Sequence, residues 1–223
     1  DARLELGVEG RIDWITQEQN LLDAAVRNQT WDERIDADIF ATDLGLYADL
    51  EFNIAERATF SIGARGDLLL YEIDDRLGNF APPGRPDDSF IPGFRRSAMG
   101  AVAGPRSSLS VKATEWLTLL AAYGEGFRSP QARLLEDGER APFTKVRSAD
   151  VGFRAQLGEE LVVTVGGYWT RLSDDVAFNP AEGSLERIAA TRRLGAVAHV
   201  VARPWPWLVA AGSVTYVDAE LLE

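Results

Sequence analysis

The sequence predicts an all-β protein: an antiparallel up-and-down meander of about nine long strands of a transmembrane β-barrel. Three observations lead there. Apolar and polar residues alternate over unusually long runs, tight connectors alternate with long ones, and aromatic residues gather at the two ends of the runs.

The first strand places Leu4, Leu6, Val8, Ile12 and Trp14 on even positions and Arg3, Glu5, Glu9, Arg11 and Asp13 on odd ones. Successive side chains of an extended chain point to opposite sides, so one face is apolar and the other charged. The second strand repeats this, with Leu44, Leu46, Ala48, Leu50, Phe52 and Ile54 against Asp43, Tyr47, Asp49, Glu51 and Asn53. In the third, Phe60, Ile62, Ala64, Leu68 and Leu70 oppose Thr59, Ser61, Arg65 and Asp67. Shorter alternations follow at Leu109, Val111 and Ala113; at Leu117, Leu119, Ala121 and Tyr123; at Val151, Phe153, Ala155 and Leu157; and at Leu161, Val163, Val165 and Trp169. The last two strands, around Arg193 to Ala202 and Trp207 to Val217, carry apolar residues on both parities, which leaves their faces open.

Tight links fall near residues 55–57, 114–115, 158–160 and 203–206, and long connectors span 17–38, 74–98, 125–145 and 173–190. Long and short links in strict alternation describe a meander with its long loops on one side, where function concentrates.

Strand length separates a membrane barrel from a soluble antiparallel sheet, which also alternates. Soluble strands average about five or six residues, whereas the first two runs cover about eleven. At about 3.3 Å per residue and a tilt near 40°, such a strand rises about 28 Å, the height of an outer-membrane apolar band. Phe52, Phe60, Trp116, Trp205 and Trp207 lie near the tight turns, and Trp14, Tyr71, Tyr123, Trp169 and Tyr216 near the long loops, as two interfacial girdles require. An arginine on the lipid side at the midplane costs about 2–4 kcal/mol, so Asp49, Arg65, Asp67 and Arg154 are expected to face the lumen. Apolar residues nowhere run unbroken for the roughly 18 positions of a membrane helix.

Composition closes other routes. Lys and Arg number 23 against 35 Asp and Glu, a net charge of −12, and no basic cluster exists to bind nucleic acid phosphates. Cysteine is absent and His199 is the single histidine, which excludes disulfides, thiolate chemistry and paired-histidine metal motifs. Gly124-Glu125-Gly126 is not followed by the third glycine or the helix of a phosphate loop, and His199 stands among valines with no nucleophile elbow in the chain. No cofactor and no enzymatic activity are expected.

Tyr123 to Pro130, reading YGEGFRSP, with Phe143 and a strand holding Ser148, Asp150, Val151 and Gly152 after it, resembles the late-barrel segment of TonB-dependent outer-membrane receptors; the hairpin from Pro105 to Tyr123 that leads into it does so too. The resemblance implies a large transmembrane β-barrel closed by many strands, of which this meander is an incomplete segment, blocked by an N-terminal plug domain and opened by an energised inner-membrane partner, the TonB complex, acting through that plug. It implies residence in the Gram-negative outer membrane, contact with the lipid bilayer and lipopolysaccharide, and uptake of a scarce nutrient, most often a ferric siderophore or similar metal chelate. Residues 1–223 are then expected to be a partial barrel, with the plug domain and the remaining strands absent from them. A passive porin and a soluble β-sheet binding protein are the alternatives, distinguished by a plug and by a need for detergent.

Under that resemblance the ligand contacts lie in the long loops. Trp31, Phe80, Phe90, Phe94 and Phe178 are expected to supply apolar contact, and Arg95, Arg96 and Arg128 charge-assisted hydrogen bonds to an anionic chelate. Arg133, Arg187, Arg192 and Arg193 share the same loop edges. Three acidic groups, Asp32, Glu33, Asp36 and Asp38; Asp74, Asp75, Asp87 and Asp88; and Asp174 with Asp175, read as solvated loop charge, with divalent ions bridging to lipid head groups as the lesser reading.

Overall fold

The computed structural model describes residues 1–23, 25, 27–55, 57–76, 94–128, 138, 143–179 and 184–222. Among them are eleven strands: β1 (Ala2–Asp23), β2 (Gln29–Ile54), β3 (Ala58–Asp75), β4 (Phe94–Lys112), β5 (Leu117–Arg128), β6 (Thr144–Leu157), β7 (Leu161–Leu172), β8 (Asp175–Asn179), β9 (Ser184–Ile188), β10 (Thr191–Trp205) and β11 (Leu208–Leu221). Nine form one sheet in the order β1-β2-β3-β4-β5-β6-β7-β10-β11, and β8 pairs only with β9, as a hairpin between β7 and β10. Every neighbouring pair is antiparallel. This is the expected meander, an open stretch of barrel wall.

Several strands outrun the sequence expectation. β1 has 22 residues and β2 26, so most of the connector expected at 17–38 is a two-stranded extension. The chain reverses between Asp23 and Gln29, with Arg27 and Asn28 in the left-handed region and the Asn28 N–H donating to the Asp23 carbonyl at 3.0 Å. About eleven residues suffice to cross the apolar band, so this hairpin projects well beyond it. Its outer half begins with Gln17, Glu18, Gln19 and Asn20, polar on both parities, and carries no alternation to read. Likewise β4 begins at Phe94, inside the loop expected at 74–98, and the loop at 173–190 contains β8 and β9. The last tight turn sits at residues 206–207, because β10 runs on to Trp205, opposite Leu208.

The register fixes the faces. Leu44, Leu46, Leu50 and Phe52 stand opposite Leu68, Gly66, Ile62 and Phe60, while Asp49, Tyr47 and Gly45 stand opposite Gly63, Arg65 and Asp67. Directly paired residues share a face, so the two parities separate as expected. Leu46 is 63% exposed and Asp67 only 5%, placing the charged side in the crowded interior of the curve. Leu6, Val8, Ile62, Met99, Val151 and Val214 are all exposed on the apolar side. The register also settles the last strands: His199 lies opposite Thr164 and Ser213, and Thr164 opposite Arg154, so the odd positions of β10 and β11 face inward.

The molecule exposes 15040 Å², against about 10,000 Å² for a compact monomer of this length. Among the described residues none covers its apolar face. At the tight-turn end Phe52 stacks on Phe60 at 6.4 Å and Trp205 on Trp207 at 5.6 Å, and at the far end Trp14 meets Phe40 at 5.4 Å. Tyr71 departs from the expected girdle. Its odd position turns it inward, where it is buried.

Candidate functional site

Charged residues on the inward face lock the strands to one another. Arg65 on β3 reaches Glu9 on β1 at 2.5 Å and donates from Nε to Asp67 at 2.8 Å. Arg106 on β4 donates to Asp49 on β2 from Nε at 2.7 Å, and its guanidinium lies 5.8 Å from the centroid of the Tyr47 ring. The Tyr47 hydroxyl donates to Glu5 at 3.4 Å, its ring covering the space that a side chain at Gly7 would fill. Apart from Arg65 with Asp67, which lie on the same strand, these pairs bridge neighbouring or next-neighbouring strands, and each exposed one contributes little alone.

Nearer the long-connector end the inward face turns apolar. Ile39, Leu69, Tyr71, Ile73, Ala98 and Val102 form a buried cluster with Phe143, and Phe127 packs against it. Phe127 and Phe143 meet edge to face at 6.4 Å. By parity Phe127 belongs on the outward side of β5. It reaches the inward cluster because β4 and β5 pair only up to Arg106 and Gly124. Beyond that point β5 passes across the inward face of β4, and the Glu125 carbonyl occupies the place where a Cβ on Gly104 would stand. The free edge of β4 is partly satisfied instead by Gly138, whose N–H donates to the Ser97 carbonyl at 2.8 Å.

The arginines expected to bind ligand separate on this frame. Arg95 faces outward, 86% exposed at its side chain and 3.4 Å from Asp74. It lines an outward cavity of about 730 Å³ with Trp14, Thr16 and Phe40. Arg96 faces inward, 15% exposed, with Asp75 at 3.0 Å. Arg128, at the end of β5, also faces inward and reaches the Asp175 carboxylate at 2.9 Å. The same carboxylate accepts from Arg193 at 2.6 Å and from the Thr191 hydroxyl at 3.1 Å. Arg96 and Arg128 are thus on the inward side and Arg95 is not. The backbones of Trp31, Phe94 and Phe178 lie on β2, β4 and β8, their side chains outside the described residues, as Phe80 and Phe90 are entirely.

The acidic groups are not simply solvated. Asp36 and Asp38 hold Arg76 at 3.0 and 3.1 Å, and Asp38 also accepts from Thr16 at 2.9 Å. Asp174 accepts from Thr144 at 2.6 Å and from Ser173 at 2.9 Å, and Asp175 is buried. Sequence reading missed Asp175 as an anchor, since a carboxylate beside a strand end carries no mark of its distant partners. It also missed the inward apolar wall, for which the unbroken run Leu68-Leu69-Leu70-Tyr71 was the available signal: an apolar residue on both parities means that both faces are covered.

The family model described as TonB dependent receptor-like, beta-barrel matches residues 3–222. A comparison with curated protein sequences gives no match. Among solved structures, the siderophore receptor PiuA from Acinetobacter baumannii superposes with a TM-score of 0.69 at 12% identity, over 99% of this chain and 36% of that one. The copper transporter OprC gives 0.68 at 16% identity, over 99% and 36%. The ferric-catecholate import receptor Fiu from E. coli K12 gives 0.66 at 17% identity, over 97% and 34%. The chain therefore spans about a third of the receptors it resembles, and the likeness at these identities is one of fold. With nine meandering strands, an apolar outward face and a match across nearly its whole length, the chain belongs to the TonB-dependent receptor-like β-barrel family, a family of outer-membrane transport receptors.

Proposed function

We propose that this chain is part of the wall of an outer-membrane receptor that actively imports an anionic metal chelate, a ferric siderophore or a similar complex, with energy supplied by the TonB complex through a plug domain. The reading is carried by one arrangement. At the long-connector end the inward face carries the guanidinium groups of Arg96 and Arg128 on a frame held by the packed cluster of Tyr71, Phe127 and Phe143. A metal chelate with exposed carboxylate or hydroxyl oxygens needs fixed cations of this kind on a rigid wall. The long-connector end then faces the outside and the tight turns the periplasm. Trp31, Phe80, Phe90, Phe94 and Phe178 add apolar contacts in this reading, and Arg95 meets lipopolysaccharide from its outward position.

The test uses the full-length receptor in cells that lack it. Uptake of radiolabelled iron from ferric citrate and from ferric catecholates should appear with the receptor and vanish when TonB is deleted. Arg96→Ala with Arg128→Ala should lower binding of the transported chelate about tenfold or more at unchanged outer-membrane abundance. Uptake that persists without TonB supports a passive channel, and unaltered binding in the double variant removes the arginines from the site.

A further inference from the structure

We infer that Asp175 is the built-in counter-ion of an anion site formed by Arg128 and Arg193, and that a carboxylate or phosphate group entering the mouth displaces it and frees the β8–β9 hairpin from the wall. The inference rests on the receptor reading for what enters the mouth, but not for its geometry.

Arg128 ends β5 and Arg193 lies near the start of β10, with β6 and β7 between them in the sheet. Arg193 is level with Gly124, four residues along β5 from Arg128, so at about 4.8 Å per strand and about 3.3 Å per residue their backbones stand about 20 Å apart. Two arginines at that separation converge only if something between them draws them in, and Asp175 does so, Oδ1 taking Arg128 and Oδ2 taking Arg193. The Asp175 side chain is 5% exposed, whereas the two guanidinium-bearing side chains keep 43% and 44% of their surface open. The cluster is therefore closed on the carboxylate side and open on the arginine side, and an anion arriving from the mouth meets guanidinium donors first. One carboxylate shared by two guanidiniums leaves a positive charge over among the three, which favours a second anion.

Displacement has a mechanical consequence. Among the described residues β8 and β9 pair only with each other, and Asp175 is the first residue of β8. Its bonds to Arg128, Arg193 and Thr191 tie that hairpin across the tops of β6 and β7. An anion that takes both arginines removes the two charged ties among these.

The test places spin labels at Ala177→Cys on β8 and Ala196→Cys on the outward side of β10 in the full-length receptor in outer membranes; this segment has no cysteine of its own. The wild-type distance distribution should be narrow, and millimolar citrate or, in a separate arm, inorganic phosphate should shift it to longer distances. Asp175→Asn should show the long distances without any anion, with the open population rising about tenfold, the weight of a charge-assisted hydrogen bond. Asp175→Glu, which keeps the carboxylate, should restore the closed distribution. Arg193→Gln should abolish the anion response at unchanged abundance. Identical distributions in wild type and Asp175→Asn would overturn the proposal, as would a wild type indifferent to both anions or an anion response that survives Arg193→Gln. A response to citrate alone assigns the site to carboxylates, and one to phosphate alone to phosphates. Because no transport is measured, these outcomes stand apart from any failure of chelate uptake.

Discussion

Arg95 and Arg96 are adjacent in the chain and ion-pair on opposite faces of one strand, Arg95 outward with Asp74 at 3.4 Å and Arg96 inward with Asp75 at 3.0 Å. The alternation of an extended backbone makes this unavoidable once β4 begins at Phe94. The two arginines should therefore have separable roles. In the full-length receptor, Arg96→Ala should weaken chelate binding about tenfold, and Arg95→Ala should leave it within about twofold of wild type. Equilibrium binding on isolated outer membranes distinguishes them, and equal losses from both would contradict the assignment of faces.

Gly104 carries a second prediction. A methyl group there would overlap the backbone carbonyl of Glu125, which cannot swing aside as a side chain does, whereas nothing lies near the corresponding position of Gly124. Gly104→Ala should destabilise the folded barrel by about 1–3 kcal/mol, in the range of overpacked sites, and Gly124→Ala should leave it nearly unchanged. Urea unfolding of the full-length receptor in lipid vesicles reads both, and equal stabilities would show that β5 does not cross β4 at this point.

The parts of the fold legible in sequence are those where one face meets lipid and the other water. Leu44 to Ile54 is such a stretch, and its alternation alone set the faces that the register with β3 bears out. Legibility fails where that contrast does. Residues 17–20 continue β1 with polar residues on both parities, so a strand there looks like a loop. In β3 the odd positions Leu69, Tyr71 and Ile73 belong to a buried cluster with Phe143, against which Phe127 packs, rather than facing solvent, and Tyr71 reads falsely as an interfacial ring. Of the candidate site, the inward placement of Arg96 and Arg128 depends on register, and the bond from Arg128 to Asp175 spans 47 positions in the chain, a relationship no local pattern encodes.

The exposed face makes a prediction about the chain by itself. Removed from the rest of its receptor, it presents the unpaired edges of β1 and β11 and an apolar surface extending over nine strands. Both are association hazards. The isolated 223-residue chain should sediment as a broad distribution of oligomers in buffer and become dispersed in detergent. A monodisperse monomer that melts cooperatively without detergent would count against the membrane wall.

A charge placed on each face in turn should distinguish them energetically. Leu46→Arg, on the outward side near the middle of β2, should cost about 2–4 kcal/mol in bilayer refolding, while Ser61→Arg on the inward face should cost less than about 1 kcal/mol. Equal costs would mean that both faces see the same medium.

The most direct measurement is a label scan along β2 in the full-length receptor, reconstituted in vesicles containing brominated lipid. Single cysteines at Asp43, Leu44, Leu46, Tyr47, Ala48, Asp49, Leu50 and Glu51, each carrying a fluorophore, report whether a position touches hydrocarbon. Quenching should alternate strictly, strong at Leu44, Leu46, Ala48 and Leu50 and weak at Asp43, Tyr47, Asp49 and Glu51, as the pairing of this strand with β3 requires. Uniform quenching along the strand, or its absence at the even positions, would contradict the account.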